Sequence, residues 1–313
     1  MRILILAGTR GNFPVSRQAT DMLESFRRQG LPLDVACVAT DFGEADCAVA
    51  SGQIDAMFVL PGAATVRQIE GLAWRHDLFA AVHAFSTSPA GRQLARRGLP
   101  REVEFDIALV SDPRQGQCGD GPRGVEARSY ELVGTDTMRY TETDIRRLTG
   151  IALDIARRRA CRLTSVDQAD RFETMALWRD VANEECGHHD DIQIEHQFVE
   201  QTVARLVAAP QHFDTLLAGG NLGPILAAQI GALTGAPCTW GRALVGRGGF
   251  AIYEVAEAHR AECGPGASPE THVTAVANAL SLMLLCSGSN AQPGPPAPHA
   301  DHAPRMTYRP FGH

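Results

Sequence analysis

Apolar and polar residues follow two rhythms along this chain. Short apolar runs ending in glycine, proline or a polar residue recur: "ILILAG" (3–8), "LDVACVA" (33–39), "DAMFVLPG" (55–62), "DIALVSD" (106–112) and "DTLLAGG" (214–220). They have the length and composition of buried strands. Between them lie segments with apolar residues every third or fourth position, which predict helices. These are "SRQATDMLESFRRQG" (16–30), "TETDIRRLTGIALDIARRRA" (141–160), "DQADRFETMALWRDVANEE" (167–185) and "HQFVEQTVARLVAA" (196–209). The first closes on a glycine, a common C-terminal signal. In the second, Thr141 and Asp144 form a capping-box-like start with Asp in place of Glu. This alternation predicts an α/β fold around a largely parallel sheet. No internal repeat interrupts it.

The longest apolar run, "VTAVANALSLMLLC" (273–286), is too short to span a bilayer and reads as a core helix. "MRILILAG" lacks the long apolar core and cleavage site of a signal peptide, and reads as a buried first strand. Beyond Asn290 the pattern ends. Residues 291–313 are rich in proline and histidine and poor in aliphatics, which predicts a solvated, disordered tail.

Composition narrows the partners. Hydrophobic residues make up 44% of the chain and charged residues 21%, as in ordinary globular proteins. A net charge of −7 argues against nucleic acid and anionic membranes as partners. The eight cysteines are scattered without a C-x-x-C pair, so they read as reduced thiols in a cytoplasmic protein.

Read without any relative, the residues offer weak candidates for chemistry. "ECGHHDDIQIEH" (185–196) gathers metal-ligand types, but the spacing fits no metal signature, and it reads as a polar loop before a strand. "GQCGDGPRG" (116–124) sets Cys118 in a glycine-rich loop, where Arg114 or Arg123 would have to lie close to activate it. "AGTRGNFPV" (7–15) follows the first strand but lacks the glycine spacing of a dinucleotide fingerprint and a P-loop lysine. "CGPGASPE" (263–270) reads equally well as a plain connector.

The middle of the chain nevertheless resembles the isocitrate and isopropylmalate dehydrogenase family, nearest its isopropylmalate branch. The likeness is carried by "GPRGVEARSYELVGTDTMRYTETDIRRLTGIALDIARRRACRLTSVDQADRFETMALWRDVANEE" and "IEHQFVEQTVARLVAAPQHFDTLLAGGNLGPILAAQIGALTG". Weaker echoes are "HDLFAAVHAFSTSP" and "GGFAIYEV". The resemblance implies a two-domain fold with mixed, largely parallel sheets flanked by helices. Domain 1 would comprise residues 1–80 and 235–290, and domain 2, the dimerisation domain, residues 81–234. It also implies NAD-linked oxidation of a 2-hydroxy acid followed by Mg²⁺- or Mn²⁺-assisted loss of CO₂.

The residues for that reaction are replaced. The positions of the family's substrate arginines fall at Ala73, His83 and Ser111, and that of the proton-relay tyrosine at Cys118. The lysine of T-S-V-D-K-A-N is Gln168 in "TSVDQAD". One metal carboxylate is Glu200 in "HQFVE", while the two aspartates of N-L-F-G-D-I-L-S-D are Pro224 and Ala228. The histidine of the nucleotide loop, reduced to "GASPE", is gone. A hard divalent cation needs several oxygen ligands, and one carboxylate does not supply them.

The expectation is therefore a family relative without oxidative decarboxylase activity and without bound cofactor. It acts as a repurposed metal-independent enzyme or as a non-catalytic binding or regulatory subunit, and NAD and Mg²⁺ or Mn²⁺ enter only if it is a divergent dehydrogenase. His83, Ser111, Cys118, Gln168 and Glu200 are the polar groups left for the interdomain cleft, where a small molecule would bind. A homodimer through domain 2 is expected, with an active paralogue or pathway protein as a further partner.

Overall fold

The computed structural model describes residues 1–8, 13–28, 30, 32–87, 104–117, 122–128, 130–234, 240–255 and 269–287. Cys118, most of residues 263–270, and residues 9–12 and 291–313 lie outside them.

The described chain folds around one mixed sheet. Its strands are β1 (Arg2–Leu6), β2 (Asp34–Ala39), β3 (Ala56–Val59), β4 (Ala80–Ser86), β5 (Asp106–Ser111), β8 (Arg162–Asp167), β9 (Gln193–Phe198), β10 (Thr215–Ala218), β11 (Gly241–Val245) and β12 (Ala251–Val255). β6 (Arg123–Arg128) and β7 (Glu131–Asp136) form a separate antiparallel hairpin. The large sheet runs β2-β1-β3-β12-β11-β4-β5-β10-β8-β9. It is antiparallel only from β12 through β5, and parallel on both flanks. Strands from the first 60 residues and from 241–255 make up one half, and those from 80–218 the other.

The helices are α1 (Phe13–Arg28), α2 (Phe42–Ala50), α3 (Val66–Arg75), α4 (Glu142–Arg157), α5 (Glu173–Cys186), α6 (Val199–Ala208), α7 (Gly223–Leu233) and α8 (Pro269–Cys286). They cover both faces, which is why the parallel strands read as unbroken apolar runs. In β1, Ile3 and Ile5 pack with Leu23 of α1 and Val276 and Leu280 of α8. The alternate residues Leu4 and Leu6 pack with Val49 of α2 and Ile69 and Leu72 of α3. This is the period-two alternation of a strand buried on both sides.

The apolar run at 273–286 is a core helix, with Val276, Ala279, Leu280 and Met283 fully buried. Among the described residues, no helix is long and apolar enough to cross a membrane. Two helix boundaries differ from the sequence pattern. The segment 167–185 becomes helical only at Glu173, because Asp167 still belongs to β8 and its carboxylate accepts the amide of Ala169, which turns the chain. The segment 196–209 completes β9 before α6 begins at Val199.

Candidate functional site

The parallel neighbours β5 and β10 end side by side, with Ser111 in register with Ala218. Ligand sites of α/β sheets form at such carboxyl ends. The chain leaves β10 through Gly219–Leu222 and enters α7 at Gly223. This is the "GGNLGPILAAQ" loop, and its glycines are needed for close approach. A Cβ on Gly220 would collide with the carbonyl oxygen of Gln115 and lie 2.6 Å from that of Asp112. A Cβ on Gly223 would strike the side chain of Ser111, 2.6 Å from its hydroxyl. Tyr140 fastens the loop from the other side: its hydroxyl accepts the amide of Gly220 at 3.1 Å and donates to Asn221 Oδ1 at 3.2 Å.

Beside this loop, Asp167 at the end of β8 is fully buried and bonded twice by Arg179, at 2.9 Å from Nε and 2.8 Å from Nη2. That pair holds the turn in which Gln168 stands, half-buried. The carbonyl of Gln168 accepts the amide of Arg171 at 3.0 Å, and the Arg171 guanidinium bridges to Glu200 at 3.1 Å. Gln168 and Glu200 are thus brought together through Arg171. Helix α6, which starts with Glu200 in its first turn, lies against α7, tied by Gln229 Nε2 donating to the carbonyl of Val203 at 3.0 Å. Pro224 is exposed and Ala228 half-buried on α7.

The other expected polar groups sit deeper. Ser111 is only 3% exposed, closed off by α7. Register puts His83 diagonally across from Ser111 on the same sheet face, since Ala81 pairs with Ser111 and His83 with Leu109. His83 is 6% exposed, edge-on to Trp240 at 5.2 Å and 6.0 Å from Phe85. Its Nδ1 has no hydrogen-bond partner among the described residues. Burial first, and the charge of Arg242 second, push its pKa down to about 3, so the ring is neutral. Both groups, expected to line an open cleft, are roofed instead. Ala73 is buried in α3, and Cys118 lies outside the described residues.

The Arg114 guanidinium donates to Asp77 at 3.0 Å and stacks over Trp74, while Arg123 is exposed on the hairpin. In the histidine-rich stretch, Arg157 gathers His189 Nδ1 at 2.7 Å and Asp191 at 2.7 Å, and Glu195 pairs with His212 and Arg205. Among the described residues, no three His, Cys, Asp or Glu side chains converge as a metal site.

Sequence reasoning missed Asp112. It is 3% exposed, and its Oδ1 accepts the amide of Arg114 at 2.7 Å. Burial raises its pKa to about 6 against the opposing amide and charge of Arg114. The only sequence signal was an acidic residue closing the apolar run 107–111.

A profile of the isocitrate/isopropylmalate dehydrogenase family matches residues 47–286. The chain belongs to this family. It is 33% identical over 180 residues to 3-isopropylmalate dehydrogenase of Syntrophotalea carbinolica, covering 58% of this chain and 47% of that one. The chain thus spans about half the length of that relative. Against the enzyme of Nitrosomonas europaea it is 28% identical over 304 residues, covering 91% of this chain and 83% of that one. The fold matches isocitrate dehydrogenase from Methylococcus capsulatus with a TM-score of 0.68 at 18% identity, covering 92% of this chain and 86% of that one. It also matches a protein of Thermus thermophilus, TT0538, with a TM-score of 0.71 at 16% identity, covering 92% and 58%.

The divalent ion that the family implies does not fit the residues present. Glu200 is the one carboxylate in the set and is engaged by Arg171, while Pro224 and Ala228 offer no side-chain oxygen. Hard cations require several such oxygens.

Proposed function

We propose that this chain is an isocitrate/isopropylmalate dehydrogenase-family protein that no longer performs oxidative decarboxylation and works by binding a small molecule or a partner protein. The observation that carries the reading is the donor set of Glu200, Pro224 and Ala228 beside Gln168. Without a divalent ion nothing polarises the hydroxyl and the developing ketone, and glutamine has no titratable proton to relay. His83 is enclosed by Trp240 and Phe85, so a Cys118–His83 couple for a metal-independent reaction is the weaker variant of the same reading.

Its assembly is proposed as a homodimer through residues 81–234, with residues 1–80 and 235–290 as the other domain. The β6–β7 hairpin supports this, because it presents Val125 (71% exposed), Leu132 (76%) and Tyr130 outside the main sheet. Exposed apolar clusters of this kind favour contact with another chain.

The relatives' own names favour one second reading, a divergent NAD-dependent dehydrogenase of a 3-isopropylmalate-like acid. An initial-rate assay of NAD⁺ reduction with Mg²⁺ and 3-isopropylmalate separates the two. The binding reading expects no turnover above a no-enzyme blank, and Mg²⁺-dependent NADH formation would establish the dehydrogenase instead.

A further inference from the structure

Next to the Gly220–Gln115 contact, a cleft of about 460 Å³ opens between the end of α3 and the start of α4, within the size range of small-molecule sites. Trp74 and Asp77 form one wall, and Arg114, Arg139 and Asp144 line the others. Trp74 is 61% exposed, whereas Trp178 and Trp240 are buried. An indole left in water beside a cavity is a ready apolar platform.

The arginines around the cleft are engaged unequally. Arg114 and Arg147 both bridge to Asp77, and Arg147 also lies 3.8 Å from Asp144. Arg139 also lines the cleft, and its side chain has no hydrogen bond or ion pair among the described residues. Arg114 is held in place by Asp77 at 3.0 Å and by stacking 5.3 Å from the Trp74 ring centroid. Its Nε–Nη1 edge makes no hydrogen bond among the described residues.

We infer that this cleft binds a small organic oxyanion, its carboxylate or phosphate held between Arg139 and Arg114 and its apolar or aromatic body resting against Trp74. Guanidinium donors suit the planar spread of oxyanion oxygens, and a preordered arginine loses less freedom on binding. The site lies next to the Gly219–Leu222 loop, whose Gly220 packs against Gln115 of the cleft wall. This names a ligand class for the binding role proposed above and rests on it.

Trp74 makes the test direct, since it is the solvent-facing tryptophan. The full chain is titrated with phenyl phosphate and with benzoate while tryptophan fluorescence is followed, against NaCl at matched ionic strength. The expected result is a saturable change with at least one probe and none with NaCl. Arg139→Gln should weaken it by about tenfold, the loss of one charge-assisted contact, with melting temperature unchanged. Trp74→Phe should abolish the signal. Tighter binding of phenyl phosphate would assign a phosphate ligand, and of benzoate a carboxylate. No saturable change with either probe, or equal affinity in Arg139→Gln, would overturn the inference. NADH production is no part of this readout, so failure here leaves the loss of dehydrogenase activity standing, and the reverse.

Discussion

The carboxylate of Asp167 is fully buried and meets the guanidinium of Arg179 through two hydrogen bonds, of 2.9 and 2.8 Å, one residue before Gln168. The pair fixes the end of β8 immediately before Gln168. Its role is in folding: it ties β8 to α5 and starts the turn that leads to Arg171, whose guanidinium meets Glu200.

Removing one partner of a buried pair leaves the other uncompensated, at a cost of about 3 kcal/mol when the remaining charge is partly solvated. Asp167→Asn should lower stability by that order, read as the shift in urea midpoint, and Gln168→Ala, half-buried and outside the pair, should leave it within about 0.5 kcal/mol.

The α7 entry makes a second expectation. Gly223→Ala places a methyl against the side chain of Ser111, and overpacking of a close contact costs about 1–3 kcal/mol. The double substitution Gly223→Ala with Ser111→Gly should recover part of that loss. A single Gly223→Ala as stable as the parent in chemical denaturation would mean that the loop and β5 are not packed as described.

Two buried groups give stability opposite slopes with pH. His83 titrates at about 3 in the folded chain against 6.5 for a free histidine, so the unfolded chain takes up a proton first. Its contribution is whole above pH 6.5 and is lost as pH falls toward 3. His83→Leu should therefore flatten the fall in stability between about pH 6.5 and 4. Asp112 has a raised pKa of about 6 against 3.8, so its contribution is present below pH 3.8 and is lost as pH rises through 6. Asp112→Asn, which keeps an acceptor for the Arg114 amide, should stabilise the protein at pH 7 by at most about 3 kcal/mol and make no difference below pH 3.8. Urea unfolding across this range checks both.

Much of the fold was legible because its central strands are buried on both faces. The run 3–8 overlaps β1, 106–112 contains β5, and 214–220 contains β10. Thr141 caps α4 as its spacing suggested, accepting the amide of Asp144 at 3.2 Å. The hairpin β6–β7 escaped notice since its residues face water and carry no apolar period. The helix predicted from 167 began six residues late because the Asp167 turn is set by Arg179, twelve positions along the chain.

The site was legible only through likeness to a family. Nothing in the periodicity marked His83, Ser111 or Gln168, and the burial of the first two follows from where α7 lies over β4 and β5. The raised pKa of Asp112 depends on enclosure by neighbours distant in sequence, and the ordering of Arg114 on Asp77 and Trp74 is likewise a tertiary fact.

The most direct test of the central claim is thermal unfolding of the protein with NAD⁺, Mg²⁺ and 3-isopropylmalate, singly and together. A ligand present at about 100 times its Kd stabilises a fold by about 2.7 kcal/mol, which is readily seen. Mg²⁺ is expected to bring no shift, alone or in the full mixture. A clear upward shift that requires nucleotide, metal and 3-isopropylmalate together would contradict the claim and restore the dehydrogenase.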